Sequence, residues 1–123
     1  QLSHIFSSEI SMTTFSIINK SYELLKMIIL LNTHCEKPWR FSLGVKLEQM
    51  VYDLITGLIM AKNAPKAMKA PYLLKADSQL EVIQLTLRLY VDLDVANKTQ
   101  IFQINAVTQD IGNMLGGWLR SVQ

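Results

Sequence analysis

The sequence predicts an all-α protein: an up-down-up-down antiparallel four-helix bundle. Three observations carry this. Apolar residues recur at three- and four-residue steps over four stretches of about 20 residues each. The three prolines, Pro38, Pro65 and Pro71, fall where that periodicity breaks. No strand-like alternation bounded by hairpin turns accompanies them. Short connections between helices of similar length make successive helices antiparallel neighbours. The 123 residues fit one domain. A chain of this size buries roughly two-thirds of its unfolded surface, so it needs no disulfide or metal to fold.

Residues 1–11 precede Met12 and read as a leader or a cloning remnant, which assigns the single domain to residues 12–123. The first helix is expected over Thr14–Asn32. Asn19, Lys20, Glu23 and Lys26 mark its polar face, and the rest is apolar nearly all round. That is more than one core stripe requires. The surplus is buried either between neighbouring helices or against another subunit.

After the short linker Thr33–Trp39, Ser42 is expected to N-cap the second helix, with Phe41 as half of a hydrophobic staple. That helix runs to Asn63 on a stripe of Leu43, Leu47, Met50, Leu54, Leu58 and Ala61, and Gly57 allows a close crossing. The connector Ala64–Pro71 leads to a third helix over Tyr72–Ala96. Its inner line is Leu73, Leu80, Ile83, Leu87 and Tyr90, with Asn97 as its C-terminal cap. The fourth helix, Thr99–Leu119, turns Ile104, Val107, Ile111, Met114, Leu115 and Trp118 inward. Gly116 and Gly117 interrupt it. Each costs about 0.8–1.0 kcal/mol relative to Ala in a helix interior. The pair is therefore expected to mark close backbone approach, or a helix end followed by a packed Trp.

Half the residues are hydrophobic and 18% are charged. This argues against disorder, and it hints at apolar surface that an oligomer would bury. The longest strictly apolar run, Met27–Leu31, is far short of the roughly 20 residues that span a bilayer. No membrane association is expected. Cys35 is the single cysteine. It permits no intrachain disulfide and fits a reducing compartment, the cytoplasm.

The net charge of +2 conceals an uneven distribution. In the predicted topology one end of the bundle gathers Lys20, Lys62, Lys66, Lys69, Lys75 and Arg120, with Glu23 and Asp77 near in sequence. The other end mixes Lys37, Arg40 and Lys98 with Glu36, Asp92 and Asp94. The lysine-rich end can attract phosphate by Coulomb steering and counterion release. The alternative is a solvated lysine-rich loop.

No residue pattern calls for catalysis or a cofactor. His34-Cys35-Glu36 is contiguous, so it cannot converge on one tetrahedral metal site without distant partners. It also cannot oppose a thiol to an imidazole. Asp92 and Asp94, two apart, face different directions. Gly116-Gly117 lacks the Lys-Ser/Thr and the preceding strand of a phosphate loop.

Three segments together carry a resemblance: Arg40-Phe41-Ser42-Leu43-Gly44, the Leu80–Leu89 run, and Ile111-Gly112-Asn113-Met114-Leu115-Gly116-Gly117-Trp118-Leu119-Arg120. They resemble the accessory variability proteins (Avd) of diversity-generating retroelements. That family lies within a wider four-helix-bundle group that includes the ribosomal intervening-sequence proteins. The resemblance covers about Ser16–Leu119. It implies a homopentameric barrel of bundles that associates with a reverse transcriptase and template-repeat RNA, without catalytic residues of its own. Arg40, Arg88 and Arg120 are the basic residues that the resemblance matches. Lys62, Lys66, Lys69 and Lys75 join the expected nucleic-acid-binding set from charge placement. Two other roles stay open: an rRNA-associated protein of the intervening-sequence type, and a protein-interaction bundle with no nucleic acid.

Overall fold

The computed structural model describes the backbone of residues 2–123 and the side chains of residues 14 and 16–123. Four long helices, α1 (Leu2–Thr33), α3 (Val45–Asn63), α4 (Lys69–Asp92) and α5 (Lys98–Val122), form the bundle. A single turn, α2 (Lys37–Trp39), and a π-helical turn, Arg40–Gly44, lead into α3. A 3₁₀ turn, Lys66–Met68, leads into α4. Each long helix packs on two neighbours, in the cyclic order α1, α3, α4, α5. The expected all-α four-helix bundle is the fold. The expected leader, residues 1–11, lies outside the residues whose side chains are described.

The core follows the predicted stripes. Leu47, Leu54, Leu58, Leu73, Ile83, Leu87, Ile111 and Leu115 are buried, and so is Trp118. Burying a side chain of this size contributes about 1.5–3 kcal/mol. Leu43, Met50, Val107 and Met114 are half-buried, packed against the core rather than inside it. Ile101 and Thr108 take inner positions on α5.

Three local expectations are corrected. Ser42 does not cap a helix, because the helical path has already begun at Lys37. Pro38 sits in its first turn, where a missing N–H costs nothing. Ser42 Oγ instead donates back to the Pro38 carbonyl at 2.7 Å. Phe41 is 70% exposed and staples nothing.

Asn97 caps the start of α5, not the end of α4: its Oδ1 accepts from the Gln100 N–H at 3.0 Å. The α4 end is closed by Asp94, at φ 56°. The Val95 N–H donates to the Tyr90 carbonyl at 3.0 Å and the Asp94 N–H to Val91 at 3.1 Å. This is a Schellman closure with an Asp in the position that usually belongs to Gly or Asn.

Finally, the glycine pair is not a helix end, since α5 continues to Val122. Nor is it a close approach to another helix. A Cβ at Gly116 or Gly117 would meet only the Arg120 guanidinium, at 3.4 and 3.9 Å. On α5 the glycine that faces a neighbouring helix is Gly112, where a Cβ would lie 3.5 Å from Leu80 of α4, and on α3 a Cβ at Gly57 would lie 3.4 Å from Gln79 of α4, both ordinary contact distances.

Candidate nucleic-acid interface

The seven basic residues singled out by sequence separate into three places. Lys62 ends α3, Lys66 lies in the 3₁₀ turn, Lys69 and Lys75 open α4, and Arg120 lies in the last turn of α5. These five share one end of the bundle. Arg88 stands four residues before the end of α4, and Arg40 belongs to the turn before α3, so both lie toward the opposite end.

Local chemistry builds the lysine end. Ala64 and Pro65 leave the helix in extended conformation, at ψ 151° for each. The last carbonyls of α3 are therefore left without intrahelical donors. Lys69 supplies one: its Nζ donates to the Ala61 carbonyl at 2.8 Å and to Lys62 at 2.9 Å. A cation at a helix C-terminus also meets the negative end of the helix dipole. Lys69 thus ties α4 to α3 and sets the connector that presents Lys66. Lys62, Lys66, Lys75 and Arg120 are exposed. None of the five is within ion-pair distance of a described carboxylate. The ion pairs among the described residues are Lys20–Asp110, Lys26–Glu23 and Arg88–Asp92. Lys20, included in this end by sequence, is thereby held by Asp110 of α5 at 3.6 Å.

Arg40 does something different. Its Nη2 donates to the carbonyls of Thr33 and Cys35, both at 3.2 Å, closing the end of α1. Sequence reasoning missed that Arg40 and Lys69 perform this same carbonyl-capping role at opposite ends. The available signal was position: each lies just beyond a helix terminus, where basic side chains meet free carbonyls.

Beside Arg40 lies a buried polar cluster that sequence reasoning also missed. Tyr90 donates its hydroxyl to Asn32 Oδ1 at 2.7 Å. Asn32 Nδ2 donates to the Gly44 carbonyl at 3.1 Å and to Glu48 Oε2 at 2.8 Å. A Cβ at position 44 would sit 3.3 Å from the Asn32 amide, so Gly44 is what lets Asn32 in. Burial pushes the Tyr90 hydroxyl pKa well up, and nearby Cys35 and Glu48 add to this against the Asn32 hydrogen bond. Cys35 is buried too, and burial raises its thiol pKa against the opposing pull of Arg40. A protonated, enclosed thiol is a poor nucleophile. His34, beside it in sequence, is exposed on the loop. Among the described residues no three metal-ligating side chains cluster, and no helix is long and apolar enough to cross a membrane.

The lysine end presents four exposed cations, Lys62, Lys66, Lys75 and Arg120, whose charge attracts anions through Coulomb steering. A family model described as bAvd-like matches residues 15–122, nearly all of the bundle. No curated protein matches the chain significantly.

Proposed function

Because the chain belongs to the bAvd-like family, we propose that it is a non-enzymatic accessory subunit of a diversity-generating retroelement. In this reading it is a cytoplasmic homo-oligomer, a pentameric barrel as the resemblance implies. It holds template RNA and a reverse transcriptase together during mutagenic copying.

The observation that carries the RNA contact is the lysine end. Lys62, Lys66, Lys75 and Arg120 are exposed there and free of described carboxylates, on a connector that Lys69 fixes. Each cation placed on a phosphate releases condensed counterions, which makes binding fall with salt. Symmetry multiplies the effect, because an oligomer repeats the same end around its axis. Arg40 and Arg88 stand outside this contact: Arg40 closes α1, and Arg88 lies toward the far end. The protein's part is positioning. It supplies charge and a rigid platform, while the chemistry belongs to the polymerase.

The test is retention of structured template RNA on filters across a salt series, together with co-purification of the cognate reverse transcriptase. The reading expects retention that weakens steeply with salt, and a stable complex with the enzyme. RNA retention no greater than that of a neutral helical bundle, or failure to co-purify, would overturn it.

A further inference from the structure

Among the described residues, two exposed apolar stripes run along the helices of the bundle. The first is a ridge. The buried line of α4 is Leu73, Ala76, Leu80, Ile83, Leu87 and Tyr90, yet Leu74, Val82, Leu85 and Leu89 are exposed. At helical spacing these four fall on the side of α4 turned away from the core. Leu85 is 61% exposed, and no described element covers the stripe.

The second surface is a groove. Val45, Tyr52 and Ile59 recur every seven residues along α3 and are exposed. Glu48 belongs to the same stripe, and Asn32 of α1 holds it. The stripe therefore runs along the α1 side of α3. Tyr22, 55% exposed, flanks it from α1, and the half-buried Ile29 lies seven residues further on.

We propose that these two surfaces bind each other between copies of the chain: the α4 ridge of one protomer seats in the α1/α3 groove of the next. The argument is one of size and shape. From the exposures, the ridge presents roughly 350–450 Å² of apolar side chain and the groove, with Phe41, roughly 500 Å². Each matches the apolar share of one half of a standard interface, which covers about 800 Å² per partner. A single-helix ridge fits a two-helix groove, as helix packing requires. A symmetric α4-to-α4 contact would leave the groove bare, whereas ridge-to-groove docking covers both faces. Such a contact is heterologous, so it propagates to a closed ring or a filament. The aliphatic ridge offers no flat ring on which a base could stack, which favours protein over nucleic acid there. The proposal rests on the oligomeric reading above and names the joint.

The experiment is light scattering after size exclusion on the whole chain and two variants. Leu85→Glu/Leu89→Glu breaks the ridge, and Val45→Glu/Tyr52→Glu breaks the groove. Wild type is expected at a multiple of 14.0 kDa. Each variant is expected as a helical monomer that unfolds in one cooperative thermal transition, at a temperature lowered by loss of the subunit contact. Mixing the two should give a 1:1 pair at twice the protomer mass, joined by the ridge and groove left intact. If a glutamate pair abolishes the cooperative transition, Leu85→Gln and Val45→Gln replace it and are read the same way. A monomeric wild type would overturn both the oligomeric reading and this joint. An oligomer that survives both variants would keep the reading and overturn the joint. Monomeric variants that fail to pair on mixing would overturn the ridge-to-groove assignment.

Discussion

At the end of the bundle where α1 finishes, polar side chains turn inward. Tyr90 donates to Asn32, Asn32 to Gly44 and Glu48, and Arg40 to the carbonyls of Thr33 and Cys35 at the end of α1. At the end where α3 finishes, Lys69 is the basic residue engaged in that way among the described residues, while Lys62, Lys66, Lys75 and Arg120 stand in solvent. The difference separates two uses of polarity. Inward groups fix register, because a buried polar group without its partner costs the full desolvation penalty. Outward cations add little to stability and remain available to phosphate. A basic residue can thus serve the fold as well as a ligand, as the two carbonyl contacts of Arg40 show.

The largest effect should come from breaking the inward end. Asn32→Leu leaves the Tyr90 hydroxyl buried without its acceptor and removes the hydrogen bonds to the Gly44 carbonyl and to Glu48. It should cost about 3 kcal/mol and lower Tm by roughly 10 °C in thermal unfolding. A change within a degree or two would show that the cluster does not set register.

Tyr90→Phe leaves one acceptor unpaired and should cost about 1–2 kcal/mol in urea titration. It also sharpens a pH argument. The Tyr90 pKa in the folded chain is raised above its ordinary value of 10.0. The unfolded chain therefore loses that proton first as pH rises. Its contribution is complete below pH 10 and is lost as pH climbs toward the folded value. Wild type should lose stability above pH 10 more steeply than Tyr90→Phe. Parallel alkaline profiles would contradict this.

Lys69→Ala should cost about 1 kcal/mol, since it frees two carbonyls at a half-exposed site. Lys62→Ala and Lys66→Ala should change stability by less than about 0.5 kcal/mol. Equal effects at all three positions would erase the distinction between the capping lysine and the free ones. One modest effect goes the other way. Gly117→Ala meets open space apart from a flexible guanidinium, and should stabilise α5 by about 0.5–1 kcal/mol. A loss of Tm there would point to an intermolecular approach at the glycine pair.

Much of this was legible in the sequence. The core lines of α4 and α5 follow from spacing, because burial enforces helical periodicity over long stretches. The lysine end follows from topology, since antiparallel connections bring Lys62, Lys66, Lys69, Lys75 and Arg120 to one end.

What was missed depends on single side chains finding distant partners. Ser42 looked like a cap because the periodicity resumes there, but Pro38 had already started the helix. Asn97 suited either end of the loop, and Asp94 took the left-handed position instead. The cost of Gly116 and Gly117 suggested tight packing, whereas the α5 glycine that faces α4 lies one turn earlier at Gly112, at an ordinary contact distance. Asn32 and Tyr90 are 58 positions apart, so their pairing has no local signature. Among the described residues, α4 carries an outer apolar stripe of Leu74, Val82, Leu85 and Leu89 that is hidden in sequence by its continuity with the inner one.

The most direct test of the account is RNA retention over a salt series by Lys62→Glu/Lys66→Glu/Lys75→Glu, which leaves the capping Lys69 in place. The account predicts an unchanged melting temperature, loss of retention at moderate salt, and a shallower salt dependence for whatever binding is left. Retention with the wild-type affinity and salt slope would contradict it and remove the lysine end as the contact surface.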